Sequence, residues 1–217
     1  MKKIIFGLLI TLAASFTMNA QDKQMTDSES FSKWQVRLRA LVVSPDESAT
    51  IEAIGGDVDI STSVIPELDI TYFFTKNIAA ELVLGTTKHD VEAVETAAGN
   101  IDLGSVWLLP PTLTVQYHFT GGALKPYLGA GINYTIFYSA DEGPVADDMD
   151  YDNSVGLAFQ AGLDFDLNDN WFLNVDLKKV YMNTDATVNA TTALGATVVA
   201  DVDINPLLIG FGVGYRF

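Results

Sequence analysis

Residues 155–177 read Val-Gly-Leu-Ala-Phe-Gln-Ala-Gly-Leu-Asp-Phe-Asp-Leu-Asn-Asp-Asn-Trp-Phe-Leu-Asn-Val-Asp-Leu. From Val155 to Leu167 every odd position is apolar. The even positions between them are Gly156, Ala158, Gln160, Gly162, Asp164 and Asp166. Side chains of a strand point alternately to its two faces, so this period of two predicts a strand with one apolar face. Asn168-Asp169-Asn170 is turn chemistry. After it the alternation resumes, with Trp171, Leu173, Val175 and Leu177 against Phe172, Asn174, Asp176 and Lys178. The stretch is a β-hairpin.

The same pattern recurs on both sides. Trp34, Val36, Leu38, Ala40 and Val42 alternate with Gln35, Arg37 and Arg39, and Leu113, Val115, Tyr117 and Phe119 with Thr112, Thr114, Gln116 and His118. Eight segments are predicted, at about 34–43, 58–74, 78–89, 110–119, 124–138, 154–167, 171–181 and 201–217. Three connections are tight: Thr75-Lys76-Asn77, Thr120-Gly121-Gly122-Ala123 and Asn168-Asp169-Asn170. The others, about 44–57, 90–109, 139–153 and 182–200, are long. Strict alternation of short and long connections predicts an eight-stranded antiparallel transmembrane β-barrel, all-β, with short periplasmic turns and long extracellular loops. Trp34, Phe74, Phe119, Trp171 and Phe217 fall at the periplasmic strand ends, where a ring can face lipid and water together. Trp107, Tyr138 and Tyr181 are the expected outer belt.

Composition narrows the class. The chain opens with Met1-Lys2-Lys3, then a largely apolar run from Ile4 to Phe16, then Met18-Asn19-Ala20. This predicts a signal peptide over 1–20 and a barrel domain over 21–217, with export to the cell outer membrane of a Gram-negative bacterium. Cleavage would remove two lysines and no acid, taking the formal charge from −16 to −18. So acidic a chain is a poor partner for nucleic acid. Cysteine is absent, which removes disulfides and thiolate metal sites. The mature chain has no apolar run long enough for a helical span.

The end of the chain, Phe211-Gly212-Val213-Gly214-Tyr215-Arg216-Phe217, has apolar odd positions and a terminal aromatic. Tyr215 and Phe217 are expected to act as the insertion signal read by the barrel-assembly machinery. The three inward glycines of this strand, Gly210, Gly212 and Gly214, are expected to leave free space beside the lumen wall. Val202 and Ile204 place their apolar side on the opposite parity to Ile209 and Phe211, and Asn205-Pro206 is the expected place for a bulge, or for departure from the membrane.

These segments resemble the OmpW family of small outer-membrane proteins. The resemblance is carried by Trp34-Gln35-Val36-Arg37-Leu38-Arg39-Ala40, Leu109-Pro110-Pro111-Thr112-Leu113, Pro126 through Thr135 (PYLGAGINYT) and the C-terminal Gly212–Phe217. It implies a narrow, largely apolar interior that passes small hydrophobic compounds across the outer membrane. Some members of the family are colicin receptors.

Parity also sorts the lumen. Arg37, Arg39, Glu67, Asp69, Glu81, His118, Asp164, Asp166, Asp176, Lys178 and Arg216 should point inward in the lower and middle barrel, pair, and form a charged plug. Toward the mouth the inward positions become Leu41, Val43, Ile65, Val83, Leu108, Phe137, Val180 and Leu208, an apolar ligand chamber. A charged plug beneath an apolar chamber is the wrong shape for an ion porin. It suits passive passage or binding of small hydrophobic molecules that leave sideways into the bilayer. The alternative is a non-transporting surface protein whose loops serve as receptor for phage, colicin or host factors. Expected partners are outer-membrane lipid and lipopolysaccharide, the barrel-assembly machinery and small hydrophobic ligands.

No enzyme is expected, and neither a cofactor nor a metal. His118 lies at the periplasmic end. His89, followed by Asp90, is expected to be a solvated histidine at a loop base. Asp148-x-Asp150-x-Asp152 begins like a calcium loop, but Asn153 and Phe159 occupy the positions where an EF-hand needs Gly and Glu, so a solvated acidic loop is expected.

Overall fold

Each alternation becomes a strand, because a backbone crossing lipid must satisfy its polar groups against a neighbouring strand. The computed structural model describes residues 31–51 and 54–217, so the expected signal peptide lies outside the described residues. In chain order the strands are β1 (Trp34–Ser44), β2 (Ser48–Ile51), β3 (Asp57–Ile60), β4 (Ser63–Phe73), β5 (Ile78–Leu84), β6 (Thr87–Thr96), β7 (Gly99–Leu109) and β8 (Thr112–His118). There follow β9 (Leu124–Glu142), β10 (Asp148–Tyr151), β11 (Ser154–Asp166), β12 (Trp171–Tyr181), β13 (Asn183–Ala190), β14 (Ala196–Asp203) and β15 (Leu207–Arg216). One helical turn, α1 (Thr191–Leu194), joins β13 to β14 and ends at Gly195, whose φ of 73° is left-handed.

Eight strands close the barrel in the order β1-β4-β5-β8-β9-β11-β12-β15, each antiparallel to the next. The seam between first and last is in register, with Gln35 opposite Arg216 and Val43 opposite Leu208. The three short connections are the expected turns. In one of them the Asn168 side chain accepts the N–H groups of Asn170 and Trp171, at 3.0 and 2.9 Å. At that end Trp34, Phe74, Phe119, Trp171 and Phe217 are exposed. Tyr72 and Tyr215 extend the girdle: Trp34 lies 4.8 Å from Tyr72, and Tyr215 lies 5.0 Å from Trp171 and 5.2 Å from Phe217. On the outer belt Tyr138 and Tyr181 are exposed and Trp107 is half-buried. Lys88 and Lys179 lie over the rings of Trp107 and Tyr181, where an ammonium can face headgroups.

The long connections are not loops. They continue upward as strands in two sheets, β3-β6-β7 running on into the upper part of β9, and β10-β13-β14-β2. The predicted segments 58–74, 78–89 and 201–217 are correspondingly divided, and β9 runs on to Glu142. Asp148 and Asp150, expected in a loop, are exposed on strand β10. At Asn205-Pro206 there is no bulge. Lys179 pairs with Leu207 and Asn183 with Asp203, so both strands advance by the same number of residues. What changes is the medium. Below, the odd residues Ile209 and Phe211 face lipid; above, the even residues Val202 and Ile204 face inward while Asp201 and Asp203 face water. Asn205 itself takes a positive φ of 37°.

Candidate functional site: an apolar chamber on a charged floor

The lower lumen is solid. Arg37 is wholly buried; its Nε donates to Asp69 at 2.8 Å, its Nη2 to Thr71 at 3.1 Å and to Glu81, and its Nη1 to the Tyr127 hydroxyl at 3.2 Å. Arg39 donates to Glu67 through Nε at 2.7 Å and to Asn174 at 3.2 Å, and lies 3.0 Å from Asp69 and 3.7 Å from Asp176. The Tyr127 hydroxyl in turn donates a hydrogen bond to Asp176 at 2.7 Å. Gln160 bridges Glu81 and Asp176 at 3.0 and 2.8 Å. Nearer the periplasm, Arg216 binds Asp164 at 3.0 Å and Asp166 at 2.5 Å, and its guanidinium lies 4.0 Å from the Phe172 ring centre. Asp166, which Lys125 also holds at 2.5 Å, and Arg216 form the partly exposed rim of the plug. In a low dielectric such groups are held at tolerable cost only by pairing and hydrogen-bonding together.

The plug contains side chains that the charge pattern did not pick out. Tyr127, Gln116, Gln160 and Asn174 are all buried within it. Their inward parity was legible, but the number of bonds each makes was not. The inward glycines do not leave space. A Cβ on Gly214 would lie 2.0 Å from the Phe172 ring, one on Gly162 2.1 Å from Tyr127, and one on Gly212 2.8 Å from the Arg39 side chain. Gly162 and Gly214 make room for the rings of Tyr127 and Phe172, and Gly212 lets the β1 backbone at Leu38 come close, with the Leu38 carbonyl 2.1 Å from its would-be Cβ.

Above the plug the lumen opens into a chamber with an open mouth. Leu41, Val43, Ile65, Val83, Leu108, Phe137, Val180 and Leu208 all line it. Their ring is only the lower part. The wall continues through Val58 and Val91 on one upper sheet and Ala186, Val188, Val198 and Val202 on the other. Val91, Ala186, Val188 and Val198 went unassigned because 90–109 and 182–200 were read as loops; Val58 and Val202 fell at the ends of predicted strands and were not placed in the lumen. The signal was present: Val198, Ala200, Val202 and Ile204 alternate with Val199, Asp201 and Asp203. His89 is a correction too. It is buried in the chamber wall, with Nδ1 2.5 Å from the Ser61 carbonyl and Nε2 3.0 Å from the Thr87 hydroxyl. Inward parity, not proximity to a turn, sets its surroundings. His118, 4.8 Å from Tyr127 in a stacked arrangement, lies in the lower barrel with its Nε2 2.9 Å from Gln116.

The barrel wall is interrupted at the chamber floor. The β5–β8 ladder stops at Val83 opposite Thr112, and β6–β7 resumes at Thr87 opposite Leu108 in unchanged register. Between them stand Pro110 and Pro111, which have no N–H to donate. The β4–β5 ladder also ends at this height, at Leu68 opposite Leu84, and pairing resumes only where Ser61 donates to Asp90. Ile65, Gly85 and Pro110 line the chamber from these edges, while Val64, Leu84 and Leu109 are exposed on the outside.

The profile of the OmpW family matches residues 32–217. The chain belongs to the OmpW family. Among OmpW-like relatives, the uncharacterized outer-membrane protein y4mB of Sinorhizobium fredii is 48% identical, over 86% of this chain and 80% of the relative. The dibenzothiophene metabolism operon protein PahQ of Pseudomonas aeruginosa is 32% identical, over 86% and 89%. The crystal structure of the outer membrane protein OprG from Pseudomonas aeruginosa superposes with a TM-score of 0.79 at 30% identity, covering 86% of this chain and 96% of that one. Family, barrel and relatives place this protein in the outer membrane. The names borne by these OmpW-type relatives are not those of enzymes.

Proposed function

We propose that the protein is a passive conduit for small apolar molecules, which enter the chamber from outside and leave sideways into the bilayer. One observation carries the reading. The apolar chamber ends on the charged plug at the same height at which the hydrogen-bonded wall is interrupted, at Leu84–Thr86 and Leu109–Pro111. A molecule with no polar groups gains nothing from the plug and loses its hydration cost on reaching lipid. The name of PahQ, which ties that relative to metabolism of the apolar aromatic dibenzothiophene, agrees with such a cargo. On this reading the partners are outer-membrane lipid and lipopolysaccharide around the belt, small hydrophobic ligands within, and the barrel-assembly machinery at Tyr215 and Phe217.

The test is transfer of dibenzothiophene from water into vesicle bilayers, followed by its fluorescence. Vesicles holding the protein should take it up faster than empty ones. Replacing Pro110 and Pro111 together by Ala restores two N–H donors to the wall and should slow the transfer several-fold. Uptake no faster than through empty vesicles would refute transport. The receptor reading, which draws on the acidic outward residues of β10, β13 and β14, would then stand in its place.

A further inference from the structure

Most polar groups in the chamber wall satisfy one another. Asn133 donates to Thr112 at 2.9 Å and accepts from Thr135 at 2.8 Å. Thr87 and His89 share a bond of 3.0 Å, and Thr184 donates to the Asp152 carbonyl at 2.7 Å. Two floor residues differ. Among the described residues, Glu67 and Lys178 are the carboxylate and the ammonium that line the chamber, at 3% and 2% exposure. Both Arg39 contacts to Glu67, at 2.7 and 2.6 Å, converge on Oε1. Lys178 Nζ, with three protons to donate, makes one long bond of 3.4 Å to Glu81. At the bottom of an otherwise apolar chamber there remain an open acceptor, Glu67 Oε2, and open donors on Lys178.

The sign of the surrounding charge selects what can meet them. An anionic head would sit against Glu67, with Asp69 and Glu81 behind it; a cationic head would meet Lys178 and Arg39. A neutral group that both donates and accepts avoids either cost, and a hydroxyl is the smallest organic group that does so. We propose that the floor is a subsite for the hydroxyl of an apolar alcohol or phenol, accepting its proton at Glu67 and donating from Lys178. The inference rests on the chamber being a ligand site and adds the class of ligand: monohydroxylated apolar molecules ahead of the parent hydrocarbon or the carboxylate.

The experiment compares naphthalene, 1-naphthol and 1-naphthoate binding to the full barrel in lipid nanodiscs by calorimetry, with empty discs subtracted. Naphthol should bind about tenfold more tightly than naphthalene, the size expected of a hydrogen bond to a charged group, and more tightly than naphthoate. In Glu67→Gln and, separately, Lys178→Met, each checked for the heat-shifted gel migration of a folded barrel, the naphthol-to-naphthalene ratio should fall toward one. The two variants protect against failure of either to fold. Equal affinity for naphthol and naphthalene in the unaltered protein overturns the subsite while leaving the chamber intact. Tightest binding of naphthoate overturns the choice of a neutral head. A ratio that survives in a folded variant places the hydroxyl elsewhere and overturns the assignment. Failure of all three to bind above empty discs overturns the chamber reading on which this one rests.

Discussion

The lower and upper halves of this tube are built from strands that follow one another along the chain, with opposite polarity. In the membrane the lumen side carries Arg37, Glu81, Asp176 and Lys178, and the outside carries Leu38, Leu82, Val175 and Leu177. Above the outer belt the inward residues are Val91, Ala186, Val188 and Val202, and the outward ones Glu92, Asp185 and Asp201. From β12 into β13 and from β15 back into β14 the alternation keeps step while the solvent changes from lipid to water; β7 shifts register within itself, and β3 is out of phase with β4. Apolar side chains that face out below must face in above, because that is where they escape water. The upper half therefore buries an apolar chamber without any change of fold.

The largest effect expected from this contrast is in the plug. Arg37→Met would take from Asp69 and Glu81 a cation that each binds directly, leaving Asp69 to Arg39 and Glu81 to one long contact with Lys178 and to neutral amides. Removing one member of a buried ion pair costs about 3–5 kcal/mol. The urea midpoint of the folded gel band should fall accordingly. A loss below about 1 kcal/mol, the range of exposed pairs, would mean that water reaches the plug and the two halves differ less than claimed.

Next comes the ligand. Ile65→Asp sets an unpaired carboxylate in the chamber wall, and binding of a small apolar dye should drop by about tenfold or more. Asp164→Asn alters only the plug, where Asp164 meets Arg216 and Asn174 at 3.0 and 2.8 Å, and dye binding should barely move. Equal losses from the two would erase the division into levels.

Packing offers a smaller comparison. Gly162→Ala drives a methyl into Tyr127 and should cost about 1–3 kcal/mol of barrel stability. At Gly85, beside the chamber, the nearest atom to an added Cβ is 3.7 Å away, in ordinary contact. Gly85→Ala should leave the urea midpoint unchanged within error. The reverse order would show that the space lies below.

The smallest effect is at the tip. The exposed Asp147 carboxylate accepts the Thr192 backbone N–H at 2.8 Å, and that bond holds its carboxyl below the usual range. A depressed folded value means the tie is complete above the unfolded carboxylate range and is lost as pH falls through the folded value. Exchange of the Thr192 amide, corrected for its intrinsic rate, should stay constant near neutrality and quicken below about pH 4. No quickening would detach the tip from this carboxylate.

Period two in the sequence was enough to derive eight strands, the short turns, the girdle from Trp34 to Phe217, and the direction of each lumen side chain. Direction is local: it follows from the geometry of a single strand. The same reading took 182–200 as a long loop, and left open whether the opposite parity of Val202 and Ile204 meant a bulge or departure from the membrane. What those segments face depends on where the bilayer ends, and no single strand encodes that. Bond partners were equally out of reach. Arg37 meets Tyr127 and Arg39 meets Asn174 only because the closed barrel brings distant strands across a narrow lumen. The glycines make the same point, since Gly162 and Gly214 are places for Tyr127 and Phe172 rather than vacancies. The chain by itself determined which way the side chains of the eight membrane strands point; only closure of the barrel, the register shifts of β6 and β7, and the height at which the strands leave the membrane decided what each one meets.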